Sequence, residues 1–107
     1  METSLESACW HDGQLHGISF EMDATGAPSV KLSVSLYDDE QAPKREQFVV
    51  LCTGVSRFAT SIDVAELKNN ASAGNVGNGR IEGGLLFLEL SGGSIEIEAK
   101  EFKADAV

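Results

Sequence analysis

The sequence predicts an all-β chain, mainly antiparallel, folded as a β-sandwich or strongly curved sheet with one short α-helix. Three observations lead there. Apolar and polar residues alternate with period two in several separate stretches, as half-buried strands require. Clusters rich in Gly, Asn and Pro separate those stretches and supply turns. At 107 residues with 42% hydrophobic content, the chain is long enough for one core, so residues 1–107 form a single domain.

The first alternating stretch runs from Leu15 to Met22 and sets His16, Ile18, Phe20 and Met22 on one face. Asp23-Ala24-Thr25-Gly26-Ala27-Pro28 is a turn made of strand breakers. From Val30 to Tyr37 the alternation is cleanest, with Val30, Leu32, Val34 and Leu36 opposed to Lys31, Ser33 and Ser35. These two strands pair antiparallel. Asp38 to Arg45 is a polar surface loop containing Pro43. Gln47 to Val55 is continuously apolar around Phe48, Val49, Val50, Leu51 and Cys52, the pattern of a strand buried on both faces. Thr53-Gly54-Val55-Ser56 then marks a bulge or bend before Arg57 and Phe58.

Asp63 as N-cap with Glu66 three residues later predicts the helix, with Val64 and Leu67 facing inward and Asn69-Asn70 ending it. Asn70 to Gly79 is a glycine- and asparagine-rich turn segment. Arg80 to Leu90 and Ser94 to Phe102 are predicted to form a hairpin about Gly92-Gly93, whose residues tolerate the positive φ of tight hairpin turns. That register sets Leu90 opposite Ile95, Leu88 opposite Ile97 and Leu86 opposite Ala99 on an apolar face. The other face then sets Glu89 opposite Glu96 and Phe87 opposite Glu98. Like charges directly across a ladder are destabilising. Phe87 among carboxylates is therefore either covered by neighbouring segments or held out for a partner.

Charge is the strongest global signal. Seventeen acids against eight bases give a net charge of −9 and a pI near 4.5. Such a surface repels phosphate backbones, which argues against nucleic acid, and favours encounter with a basic protein. Without an apolar run of about 18 residues or a basic-then-apolar leader, the expectation is a cytoplasmic protein that does not bind membranes. Cys9 and Cys52 are too few for a disulfide framework; two free thiols is the simpler reading, one bridge the other.

The stretch Cys9-Trp10-His11-Asp12-Gly13 gathers a thiol, an indole, an imidazole and a carboxylate. Neither C-x-x-C nor H-x-x-x-H occurs, His16 is the only other histidine, and neighbours in an extended segment point to opposite faces. No metal or cofactor is expected. Trp10 reads instead as an anchor for the N-terminal segment, with His11 and Asp12 making local hydrogen bonds at the turn through Gly13. No G-x-S-x-G elbow is present, and the glycines of Ala73 to Gly79 lack the lysine and following helix of a phosphate loop. An enzyme is not expected.

The Trp10-His11-Asp12 start resembles a layout found among bacterial proteins. So do the stretch Phe58…Ile62-Asp63…Glu66-Leu67, the Asn-Gly loop, and the closing strand bearing Ile95, Ile97, Ala99 and Phe102. In these features the chain resembles the small all-β immunity partners of polymorphic toxins, including those of contact-dependent growth inhibition systems. The resemblance implies a cytoplasmic protein that binds one cognate toxin domain and blocks it. A basic toxin fits the acidic surface. The contact residues expected on that reading are Asp38, Asp39, Glu40, Glu89, Glu96 and Glu98, with Phe87 or Tyr37 as aromatic anchor, in a monomer or weak homodimer. The alternatives are a small-molecule-binding β-domain with a pocket lined by Trp10, His16 or Tyr37, a small enzyme using Cys9 or His11, and an oligomer joined at sheet edges.

Overall fold

The computed structural model describes residues 9–37, 44–63 and 76–107. The predicted loop at Asp38 to Pro43 and the predicted helix beyond Asp63 lie outside these residues. Eight strands are described: β1 (Cys9–Met22), β2 (Pro28–Tyr37), β3 (Arg45–Thr53), β4 (Arg57–Ile62), β5 (Val76–Glu82), β6 (Leu85–Leu90), β7 (Gly93–Glu98) and β8 (Glu101–Ala106). They form two four-stranded sheets, ordered β1-β2-β3-β8 and β4-β7-β6-β5, with every pairing antiparallel.

The alternation of β2 fixes the first sheet. Val30, Leu32, Val34 and Leu36 are buried, and Lys31 and Ser33 face solvent. β3 alternates as well, with Phe48, Val50 and Cys52 buried but Val49 and Leu51 only half-buried. Burial on both faces was the expectation for β3; among the described residues the sheet is covered on one side, and its outer apolar residues stay half-buried. Leu86, Leu88, Leu90, Ile95 and Ile97 from the second sheet meet these side chains in one buried cluster. The described residues therefore form two layers around a common core.

The backbone passes between the sheets twice, at adjacent points. β3 leads to β4 through Gly54, at φ +64°, and Ser56, whose N–H donates to the Glu98 carbonyl at 2.8 Å. β7 leads to β8 at Ala99-Lys100, where the Lys100 N–H donates to the Thr53 carbonyl at 2.9 Å. The bend at 53–56 was expected. The single strand expected from Ser94 to Phe102 is instead two strands in different sheets.

The predicted hairpin is corrected in two respects. Arg80 to Leu90 is broken by Gly83-Gly84, whose φ angles of +58° and +78° fit the left-handed turn needed between β5 and β6. The β6–β7 turn is Ser91-Gly92, and Gly93 lies inside β7 opposite Leu90. A Cβ at Gly93 would collide with the Ser61 carbonyl of β4, so this glycine serves a close strand approach. The ladder slips by two residues: Leu88 faces Ile95 and Leu86 faces Ile97. A two-residue slip preserves faces, so the apolar ladder survives with new partners.

The start of β1 departs most from a regular strand. Cys9 pairs with Tyr37 and Gln14 with Ser35, so the four residues between them stand against Leu36 alone. This excursion drives Trp10 into the core, where it is 3% exposed. Gly79 of β5 makes the seat: a Cβ there would lie 2.7 Å from Trp10 Cβ and Cγ. Trp10 is thus a core anchor, as expected. Its neighbours contact each other, His11 Nε2 to Asp12 Oδ2 at 3.5 Å, and also bond across the fold. His11 Nδ1 donates to the Gly77 carbonyl at 2.8 Å, and the Asp12 carbonyl accepts from Arg45 Nε at 2.7 Å. Asp12 adopts φ +65°, which short polar side chains tolerate.

Candidate functional site

The outer face of the second sheet collects four of the eight predicted contact residues, Phe87, Glu89, Glu96 and Glu98. Strand pairing arranges it in rows across β4, β7, β6 and β5. Ala59, Glu96, Phe87 and Arg80 form the middle row, flanked by Arg57, Glu98, Leu85 and Glu82 on one side and Ser61, Ser94, Glu89 and Asn78 on the other. Alternation explains the selection, because the intervening residues of each strand turn into the core.

This register removes the predicted like-charge clash. Glu96 lies opposite Phe87, Glu89 opposite Ser94, and Glu98 opposite Leu85. Glu96 is also bound by Arg57, Nη1 to Oε2 at 3.0 Å. Both side chains are substantially exposed, so this pair contributes at most about 1 kcal/mol. Arg80 holds its guanidinium 5.6 Å from the Phe87 ring centroid, a cation–π contact of about 0.5–1 kcal/mol at an exposed site. Phe87 is half-buried, between the two readings left open for it. The face presents four carboxylates, two guanidinium groups and one aromatic ring in its three rows.

Tyr37 does not join this face. It ends β2 in the other sheet, with the Arg45 guanidinium 5.1 Å from its ring centroid. Asp38, Asp39 and Glu40 fall outside the described residues. Arg57, Arg80 and Glu82 were missed, because nothing in a linear reading places them beside Phe87. A Phe or Arg at an outward position in the correct register was the only available signal.

Of the residues expected to line a pocket between the sheets, Trp10 is buried in the core, and the exposed His16 shares a 2.6 Å hydrogen bond between its Nε2 and Ser35 Oγ. Two open grooves lie elsewhere. One, of about 520 Å³, runs along Gly54, Glu82 to Leu85 and Glu98 to Lys100. The other, of about 510 Å³, is lined by Phe20, Met22, Pro28, Val55 and Phe58, with Ser56 and Arg57 at its edge. Phe20 and Met22 point to the same side as Ile18, as the alternation predicts, yet are 57% and 61% exposed. Their end of β1 extends past the cover of the opposite sheet.

The titratable groups show little sign of chemistry. Burial pushes the Cys52 thiol up to about 12, leaving it protonated and unreactive. Asp23 is held below the usual carboxylate range, first by the Thr25 hydroxyl and then by the Ala27 and Thr25 backbone N–H groups. That is the mark of a turn: its Oδ1 accepts from Thr25 N at 2.8 Å and Ala27 N at 2.9 Å. Among the described residues, no group of three or more His, Cys, Asp and Glu side chains is placed to share a metal ion, and no helix is long and apolar enough to cross a membrane.

Comparison of the sequence and fold with protein-family models, curated proteins and solved structures finds no match.

Proposed function

We propose that this protein is a protein-binding inhibitor that neutralises a basic bacterial toxin domain by covering it. The observation that carries the reading is the outer face of the second sheet, where Glu82, Glu89, Glu96 and Glu98 surround a half-buried Phe87 in a protein of net charge −9. Carboxylates meet the lysines and arginines with which such a toxin holds its own substrate, and Phe87 adds an aromatic contact in their midst. The protein acts in the cytoplasm as a monomer or weak homodimer, and it inhibits by contact rather than by catalysis.

The test reads the neighbouring reading frame and, where it encodes a large secreted protein, co-expresses that protein's C-terminal domain with this one. Rescue of growth is expected, with loss of rescue for Glu89→Lys/Glu98→Lys at unchanged thermal stability. Unaltered rescue by that variant removes the face from the reading, and a metabolic operon in place of the secreted protein sinks it altogether.

The apolar groove at Phe20, Met22 and Phe58 favours a second reading, binding of a small apolar ligand. Titration with a fluorescent long-chain fatty acid separates the two. Saturable binding lost in Phe20→Ser supports the ligand reading, and no saturation removes it.

A further inference from the structure

We propose that Asn78-Gly79 on β5 is a self-modifying site, at which the Gly79 backbone nitrogen closes on the Asn78 carboxamide and converts it to isoaspartate and aspartate. Of the four asparagines in the sequence, Asn69, Asn70, Asn75 and Asn78, only Asn78 is followed by glycine. A side chain on the following residue shields the attacking nitrogen, and glycine has none.

The local geometry favours the reaction. Asn78 is exposed, and its side chain is folded back so that the Gly79 N–H donates to its Oδ1 at 2.9 Å. The nucleophile and the group it attacks are therefore already neighbours. β5 is an edge strand of its sheet, and its register with β6 is broken between Val76 and Asn78. Both features ease the backbone rotation that ring closure needs. Gly79 is also where the Trp10 seat forbids a Cβ. The residue required for packing is the one that leaves this amide unprotected.

The chemistry balances without an oxidant or cofactor. The Gly79 nitrogen gives up its proton to solvent and bonds to Asn78 Cγ, and the Cγ–Nδ2 bond breaks to release ammonia. Water then adds to one of the two imide carbonyls. Opening at Cγ returns an ordinary aspartate. Opening at the backbone carbonyl leaves isoaspartate, with the backbone routed through the side chain and longer by one carbon. Either product disturbs this strand. Aspartate places a second carboxylate opposite Glu89, the cross-strand partner of Asn78. Isoaspartate shifts Gly79 along β5 and away from beneath Trp10.

The experiment incubates the native protein at mildly alkaline pH beside the same protein in urea and the Asn78→Ser variant. Peptide mass mapping follows amide-to-acid conversion, and a protein-isoaspartate methyltransferase with labelled S-adenosylmethionine detects isoaspartate. Asp12-Gly13 can form the same imide with loss of water, but without a net mass change, so mass assigns the event to asparagine. The native protein is expected to gain the acid mass first in the Asn78 peptide and to become a methyl acceptor. Trp10 emission shifts to the red in the converted fraction, and Asn78→Ser shows neither the acid mass nor this shift, keeping only the methyl acceptance that Asp12-Gly13 supplies. Conversion in urea with Asn78 intact in the native protein overturns the proposal, as does earlier conversion at Asn69, Asn70 or Asn75. Unchanged Trp10 emission in the converted fraction overturns the link to the Trp10 seat.

Discussion

Gly79→Ala tests the seat of Trp10 most directly. The new Cβ would lie 2.7 Å from Trp10 Cβ and Cγ and 2.8 Å from Leu88 Cδ2. Trp10 Cβ is fixed to the backbone and cannot swing aside, so β1 and β5 must separate. Overpacking of this kind costs about 1–3 kcal/mol. The substitution also restricts the unfolded state, which returns about 0.4–1 kcal/mol. At the midpoints of these ranges the net is a loss of about 1.3 kcal/mol, or roughly 5–10 °C in Tm for a domain of this size. Gly77→Ala is the matched control, because its Cβ meets only the Glu89 carbonyl at 3.7 Å. It should be neutral or slightly stabilising. Urea unfolding followed by the emission of Trp10, the single tryptophan, measures both. A Gly79→Ala protein as stable as the parent, with unchanged emission, would falsify the seating argument.

Phe87→Ser should fold and lose no more than about 2 kcal/mol, since the ring is half-buried, whereas Leu88→Ala beside it should lose about 2–5 kcal/mol. Denaturant melts of the two variants check the order. Cys52 should resist a thiol reagent at pH 8 in the native state and react promptly in urea. Because burial raises this thiol to about 12, the unfolded state ionises it first; stability is intact below the ordinary thiol pKa of about 8.5 and falls as pH rises from there toward about 12. Cys52→Val should flatten that alkaline slope in a pH series of melts. Asp23 has the opposite sign. Its lowered carboxyl supports the β1–β2 turn above the ordinary carboxylate range and loses that support as pH falls through its own lower pKa. Protection of the Thr25 and Ala27 amides, taken relative to their intrinsic exchange rates at each pH, should fall over that acid window, and in Asp23→Ala at every pH.

What a linear reading can and cannot reach follows from how strands carry information. Val30 to Tyr37 was legible because the pleat alone decides which side chains share a face, and no partner strand need be known. The same rule placed Phe20 and Met22 correctly on the inward side but said nothing of how far the opposite sheet extends. Their exposure was therefore invisible. The Trp10 excursion, four residues against one, leaves no periodic trace, and neither Ala99 nor Lys100 is a residue type that announces a crossing between sheets. The hairpin shows the limit most sharply. Gly83-Gly84 and Gly92-Gly93 look equivalent in sequence, but only the first is the tight turn; the second pair has its Gly93 against β4, a contact fixed by residues some thirty positions earlier.

For the candidate site, that distinction reverses the electrostatics. A slip of two residues leaves every side chain on its predicted face, so Phe87, Glu89, Glu96 and Glu98 were rightly grouped. The same slip replaces every cross-strand partner. Glu89 and Glu96 move from direct opposition to diagonal positions, and long-range pairing with β4 and β5 brings in Arg57 and Arg80. A face that read as strained becomes one where Glu96 is already compensated by Arg57, while no ion pair to Glu82, Glu89 or Glu98 stands among the described residues. Those three carboxylates keep the greater freedom to meet a cationic partner. Charge reversal at Glu89 and Glu98 should therefore weaken binding more than reversal at Glu96, whose field Arg57 already offsets.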